Sequence, residues 1–312
     1  MKKVVITGAA GLVGQNLVPM LIKENYEIVA IDKNEKNLDL LKKLNPKIKC
    51  VKQDLSLNDE WKDEFKNADI VVQLQAQIAS KEKNAFIKNN INAVKNVVKV
   101  CETNKIKHLI HISSSVVISV AKDDYTLTKT KGESIVQNSK VPYTILRPPL
   151  MYGCFDAKHL GYITKFMEKT PIVPIIGSGK YIRQPLFVED LCKIIVVLTK
   201  RKPKNKIYNI IGKEKIFYID LLKTICRTRK WKRIFLPIPI PVFSTLINIY
   251  GFFVKKPIFR PEQIKALTAG DIFPVEDWEK EFGVKYTKFE KGIHKTLNSE
   301  CSKYNKEMNA PH

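Results

Sequence analysis

A chain of 312 residues, 44% hydrophobic and 27% charged, can bury one large or two modest cores and has the composition of an ordinary soluble globular protein, which excludes a fibrous or disordered class. Its 54 Lys and Arg against 31 Asp and Glu give a net charge of +23, which invites nucleic acid, anionic lipid or an acidic substrate. The lysines are scattered throughout and no basic stripe interleaved with aromatics occurs, so the surplus reads as solvated surface and no nucleic-acid partner is expected.

In chain order, the first run is Lys3-Val4-Val5-Ile6-Thr7, β-rich and long enough for a buried strand. Leu12, Val13, Leu17, Leu21 and Ile22 then recur at helical spacing. Gly8, Gly11 and Gly14 of TGAAGLVG therefore sit between a strand and a helix, where a dinucleotide's pyrophosphate is bound. Gly8 allows the tight turn, Gly11 lets the backbone approach the anion, and Gly14 lets helix and strand pack closely. Further strands are expected at residues 27–31, 48–51, 70–74, 108–113, 143–147 and 206–211, the last returning to the same sheet. Between them, Ala85 to Cys101 places Ile87, Ile91, Val94, Val98 and Cys101 on one helical face. This alternation predicts an α/β fold, a Rossmann-type doubly wound parallel sheet with a smaller, mostly C-terminal substrate domain. The expected boundaries are 1–150 with 186–211 for the first unit, and 151–185 with 212–312 for the second.

Three features carry chemistry. Asp32 ends the second strand eighteen residues after Gly14, where a carboxylate accepts adenosine ribose hydroxyls and repels a 2′-phosphate; NAD is favoured over NADP. Asp54-Leu55 follows the third strand, beside an adenine edge or in a plain surface turn. Tyr125 and Lys129, four apart, share a helix face after the run Ser113-Ser114-Ser115. An ammonium and a positively charged nicotinamide both favour the phenolate, and a serine hydroxyl can pass the proton on. The six cysteines form no C-x-x-C pair, which suits a reducing compartment better than a disulfide framework. The five histidines have no metal-site spacing, so no metal is expected. The apolar N-terminal run is broken at once by glycines and by Gln15-Asn16, against a signal peptide and for a cytoplasmic location.

Taken together, TGAAGLVG, VVQLQA, NINAVKNV, HISSS, YTLTKTKGE, YTILRPPLMYG, LFVEDL and EFGVKY resemble the extended short-chain dehydrogenase/reductases, specifically the NAD-dependent epimerase/dehydratase group. The resemblance implies that Gly8, Ala10, Gly11, Leu12, Val13 and Gly14 hold the pyrophosphate, Asp32 the ribose, and Asp54 and Leu55 the adenine. It implies Tyr125 as acid/base, Lys129 on the nicotinamide ribose, and Ser114 as partner hydroxyl with Ser115 as the alternative. Leu74, Gln75, Ala76 and Pro148 would flank the cofactor, and Asn90 would brace the central strands. It further implies a nucleotide-sugar substrate, a 4-keto intermediate, and a homodimer through the helices at 85–101 and 125–138. Three departures stand out. Gln75 replaces a small residue and either crowds the cofactor or hydrogen-bonds it. VIS replaces V-Y-G at Val117, and the Ser114–Tyr125 interval is short. A dehydrogenase of a sterol-like or isoprenoid alcohol at a membrane surface, and a non-catalytic nucleotide-binding subunit, are the alternatives.

IFLPIPIPVFSTLINIYGFFV, residues 234–254, carries no charge and lies between RTRKWKR and KKPIFR. Prolines 237, 239 and 241 leave too short a helix to span a bilayer. The stretch either packs over the substrate pocket or lies on an anionic membrane surface.

Overall fold

The computed structural model describes residues 1–57, 60–80, 82–120, 122–253, 268, 270 and 272–308. Strands and helices alternate as β1 (Lys3–Thr7), α1 (Leu12–Lys23), β2 (Glu27–Asp32), α2 (Glu35–Leu44), β3 (Lys49–Lys52) and β4 (Ile70–Gln73). Then follow α3 (Lys83–Ile87), a π-helical turn Lys88–Asn92, α4 (Ala93–Thr103), β5 (His108–Ile112), α5 (Asp124–Gln137) and β6 (Tyr143–Arg147). The second half holds β7 (Met151–Tyr152), α6 (Leu160–Lys169), β8 (Ile172–Ile176), β9 (Ile182–Arg183), β10 (Leu186–Phe187), α7 (Val188–Lys200) and β11 (Lys206–Asn209). After these come β12 (Ile216–Phe217), α8 (Tyr218–Arg229), β13 (Ile234–Ile238), α9 (Ile240–Phe253) and the helices Trp278–Phe282 and Phe289–Asn298.

The seven-stranded sheet runs in the order β11-β6-β5-β4-β1-β2-β3, with every pairing parallel. Parallel strands are buried on both faces, which explains why the strand sequences read as nearly continuous apolar runs. Side chains alternate between two cores. Val4, Ile6, Val72 and Ile110 face α1 and α7, whereas Val5, Val71 and Leu109 face α4 and α5 through Val94, Val97, Cys101 and Val136. The strand order reverses between β1 and β4, and a ligand cleft opens at the carboxyl ends of strands at such a switch point. A third core joins Tyr152, Met167, Val173, Ile175, Phe187, Leu222, Phe289 and Ile293.

Two expectations need correction. The run 85–101 is not one regular helix. Its π-turn inserts an extra residue per turn, so Phe86 and Asn90 are buried where Ile87 and Ile91 were expected, and the α-helical face resumes at Val94. The cause is local. Asn90 hydrogen-bonds both backbone groups of Gln77 and the Thr128 hydroxyl, while a Cβ on Gly132 would lie 2.5 Å from the Asn90 carbonyl. The cysteines also behave differently: Cys154 and Cys301, 147 residues apart in sequence, are joined by a disulfide. Among the described residues no helix is long and apolar enough to cross a membrane. Residues 234–238 form a strand and 240–253 a helix; the flank KKPIFR, residues 255–260, lies outside the described residues.

Candidate active site

The cleft over the switch point has a volume of about 210 Å³. Its floor is the β1–α1 turn. Gly8 has φ +69°, and a Cβ there would come within 2.5 Å of the Gln75 amide nitrogen, so a side chain is excluded by both backbone conformation and space. Gly14 does not line the cleft; a Cβ would meet the Ala9 carbonyl at 2.1 Å, so its role is close packing of helix on turn. No side chain caps α1 at Gly11, which leaves the helix N-terminus, at Leu12 and Val13, available to an anion.

Asp32 enters from the end of β2. Its carboxylate accepts the Ala10 amide at 3.0 Å and the Asn34 amide at 2.9 Å, so it ties β2 to the glycine turn. Burial raises its pKa, against the lowering by these N–H donors and by Lys33. Asp54 accepts from the Ser56 amide and hydroxyl, and Leu55 is buried beside it. Asp32, Asp54, Leu55, Leu74, Gln75 and Ala76 all line the cleft. Gln75 is held by the Thr7 hydroxyl at its side-chain oxygen, while its amide nitrogen is buried with no partner.

Tyr125 stands at the start of α5, also on the cleft wall. Asp123 caps that helix by accepting the Thr126 amide at 2.8 Å, which fixes where the tyrosine emerges. Burial pushes the Tyr125 phenol up to about 12; the neighbouring Ser114 hydroxyl opposes the rise and the Asp123 carboxylate adds to it. Lys129 lies one helical turn behind, fully buried, and donates to the Ile112 carbonyl at 2.8 Å. Burial lowers its pKa to about 8, the Glu133 carboxylate working against the drop. Its ammonium thus rests on the Ile112 carbonyl, at the end of the strand that leads into the serine run. Ser115 and Pro148 do not line the cleft. The Ser115 amide donates to the Pro148 carbonyl at 2.9 Å, which fastens the serine loop to the end of β6.

A family model described as the NAD dependent epimerase/dehydratase family matches residues 4–210, two-thirds of the chain and the whole of this cleft's glycine, serine and tyrosine elements. The chain belongs to that family. A trifunctional UDP-glucose 4,6-dehydratase/UDP-4-keto-6-deoxy-D-glucose 3,5-epimerase/UDP-4-keto-L-rhamnose-reductase of Arabidopsis thaliana is 27% identical over 72% of the chain and 39% of its own length. A dTDP-D-glucose 4,6-dehydratase of Dictyostelium discoideum is 25% identical over 72% of the chain and 61% of its own length. The chain thus spans less than two-thirds of these relatives. In fold, it matches the UDP-glucose 4-epimerase of Thermotoga maritima solved with UDP-glucose, with a TM-score of 0.76, 18% identity, and coverage of 95% of this chain and 97% of that one.

The cleft fits the family's dinucleotide. Gly11 exposes bare backbone, a Cβ there meeting only the Gly8 carbonyl, at 3.4 Å, within 4 Å. The unpaired Gln75 nitrogen and the uncapped α1 terminus are donors, and Asp32 is the acceptor beside them.

Several residues here went unread in the sequence. Glu133 is buried, accepts from the Ser113 hydroxyl at 2.7 Å, and pairs with Arg147. This joins the serine loop, α5 and β6 beside Lys129. The spacing Tyr125-Lys129-Glu133, four and four, was its available signal. Phe155, Lys158 and Met308 also line the cleft. Lys158 faces Asp32 and Asp156; burial lowers its pKa to about 8, and the two carboxylates oppose the drop. No local pattern in the sequence marks them.

Proposed function

We propose that the protein is an NAD-dependent nucleotide-sugar epimerase that inverts a sugar carbon through a 4-keto intermediate. The observation that carries this reading is Tyr125 on the wall of the glycine-turn cleft, with the Ser114 hydroxyl near enough to lower its pKa and Lys129 buried one turn behind. NAD, when bound, accepts a hydride from a substrate carbon and returns it. Tyr125 takes the proton of the C4 hydroxyl as hydride leaves that carbon, and gives it back to the carbonyl oxygen when hydride returns to the opposite face. Ser114 donates to the phenolate and lowers its pKa, and a positive charge arriving beside the phenol would lower it further from about 12. Ala10, Gly11, Leu12 and Val13 present backbone to the pyrophosphate, Asp32 takes the adenosine ribose, Leu55 lies by the adenine, and Gln75 donates into the cleft. Lys129 would leave the Ile112 carbonyl for the nicotinamide ribose. The homodimer through α4 and α5 belongs to the same proposal.

Epimerisation is favoured over 4,6-dehydration because the carboxylates in the cleft and beside Tyr125 are already engaged, Asp123 by the Thr126 amide. Loss of water across C5 and C6 needs a further acid for the departing hydroxyl and a base for the C5 proton. Among the described residues, the carboxylates lining the cleft are Asp32, Asp54 and Asp156. They are occupied by the amides of Ala10 and Asn34, by Ser56, and by the amides of Lys158, His159 and Gly161. The serine loop, Ser113 to Ser119, brings hydroxyls and apolar groups alone.

Incubation with NAD and a panel of UDP-, dTDP- and GDP-sugars, followed by proton NMR, tests the reading. A new anomeric signal from one sugar with its C6 hydroxymethyl retained is the expected outcome. A 6-deoxy-4-keto product would make it a dehydratase, and silence with NAD bound would remove the sugar assignment. In Tyr125→Phe, turnover should fall by about 10²- to 10⁴-fold with NAD affinity nearly unchanged. Persistent turnover would unseat Tyr125.

A further inference from the structure

Among the described residues of the uncharged run after residue 233, none lines the cleft. The run folds into β13, which pairs in parallel with β8, and then into α9. The register sets Ile234 against Ile172 and Leu236 against Pro174. Side chains alternate across a strand, so these four point the same way, and all four are exposed. The opposite face, with Val173 and Ile175, is buried against Leu222 and Ile225 in the third core. The first turns of α9 continue the exposed surface with Ile240, Val242 and Leu246. Exposure is 67% at Ile234 and between 42% and 51% at Ile172, Leu236, Ile240, Val242 and Leu246. Neither strand nor α9 contains a charged residue.

Cations border this face where the two strands begin. Lys169 precedes β8, and Arg227, Lys230 and Lys232 precede β13; all four are exposed. Arg233 lies 4.9 Å from the half-buried Trp231 ring. Glu168 is the acidic neighbour on the β8 side. An indole flanked by cations at the margin of an aliphatic face suits the level of lipid headgroups. The ribbon is a poor template for a strand from a protein partner, because Pro174 and Pro237 sit inside it and Pro239 and Pro241 follow, each without an N–H to donate. A bilayer asks for no directional hydrogen bonds.

We propose that this face, Ile172, Pro174, Ile234 and Leu236 of the ribbon with Ile240, Val242 and Leu246 of α9, docks the protein onto an anionic lipid surface. The aliphatic side chains enter the headgroup boundary, and Lys169, Lys230, Lys232 and Arg233 meet lipid phosphates. The inference stands apart from the reaction in the cleft.

Flotation of the full-length protein with phosphatidylcholine vesicles, with and without phosphatidylglycerol, tests it. Binding should require phosphatidylglycerol and weaken as salt rises. The double variant Ile234→Ser with Leu236→Ser keeps every charge and should lose about tenfold or more in partitioning, with NAD binding unchanged. Val242→Ser with Leu246→Ser, on the helix, should show the same loss should the strand variant fold poorly. Undiminished vesicle binding in both variants would mean that net charge alone drives adsorption, and would overturn the proposal. Absence of binding at low salt would overturn it too. So would a native dimer that either variant converts to monomer, since the face would then belong to a second copy of the chain.

Discussion

Gln75 lines the cleft with its side-chain oxygen held by Thr7, at the end of β1, and its amide nitrogen buried without a partner. A buried N–H without an acceptor costs about 1–3 kcal/mol, so the site gains when an anion or hydroxyl arrives to receive it. In the sequence this position was visible only as a large residue where the family has a small one, with crowding and bonding equally open. The fixed oxygen end favours bonding, and it depends on β1 and β4 being neighbours. Gln75→Ala should weaken NAD by roughly tenfold, about the worth of one hydrogen bond to a charged group, in an equilibrium titration. Tighter binding in that variant would show that the amide crowds the cofactor instead. Glu133 teaches the complementary lesson. Its i+4 spacing from Lys129 was readable, but its partners Ser113 and Arg147 come from the serine loop and from β6, and only the fold brings them together.

At the scale of elements, the strands were legible because a doubly covered parallel sheet needs continuous apolar runs, and those runs are short and bounded by turns. Less legible was anything fixed by contacts distant in sequence. The loop after β7 and the C-terminal segment are one such case. Cys154 is bonded to Cys301, Phe155 stacks on Tyr304 at 5.9 Å, and Met308 packs with Phe155 and Leu40 while lining the cleft. No spacing rule links two cysteines 147 residues apart. The bond closes a long loop, for which chain-entropy arguments give about 5 kcal/mol of stabilisation and measured disulfides typically about 2–4. In a reducing compartment the same two residues would stand as thiols, and the segment would rest on packing contacts such as those of Phe155, Tyr304 and Met308. Reduction, or Cys301→Ser, should therefore lower the thermal midpoint by several degrees and speed NAD release in a stopped-flow chase. An unchanged release rate would mean that the C-terminal segment does not wall the cofactor site.

For the whole molecule, acid is the condition under which the central sheet should fail. His108 and His111 lie on β5 in the middle of the sheet, both buried. His108 bonds the Thr144 hydroxyl, and burial drops its pKa to about 4, with the nearby Leu198 carbonyl opposing the drop. His111 bonds Gln73 and sits near Lys129; burial and that ammonium hold it well below the ordinary histidine range. In the unfolded chain both take up protons near pH 6.5, while in the folded one they do not. The unfolded state thus binds more protons between about 6.5 and 4, and stability falls as pH falls through that window, by at most about 1.4 kcal/mol per pH unit for each histidine. Asp32 and Asp190, whose carboxyls burial raises, work in the opposite sense, closer to the ordinary carboxylate range. The thermal midpoint should accordingly decline from pH 6.5 toward 5, before those carboxyls compensate. His108→Gln retains a partner for Thr144 but cannot titrate, and should flatten the decline. Net charge offers a competing cause, because a chain at +23 gains further repulsion as its acids protonate. Salt separates the two: added salt screens surface repulsion, whereas the desolvation of a buried imidazole is insensitive to it. A decline abolished by salt, and equally steep in His108→Gln, would assign the effect to surface charge and leave the buried histidines without a part in it.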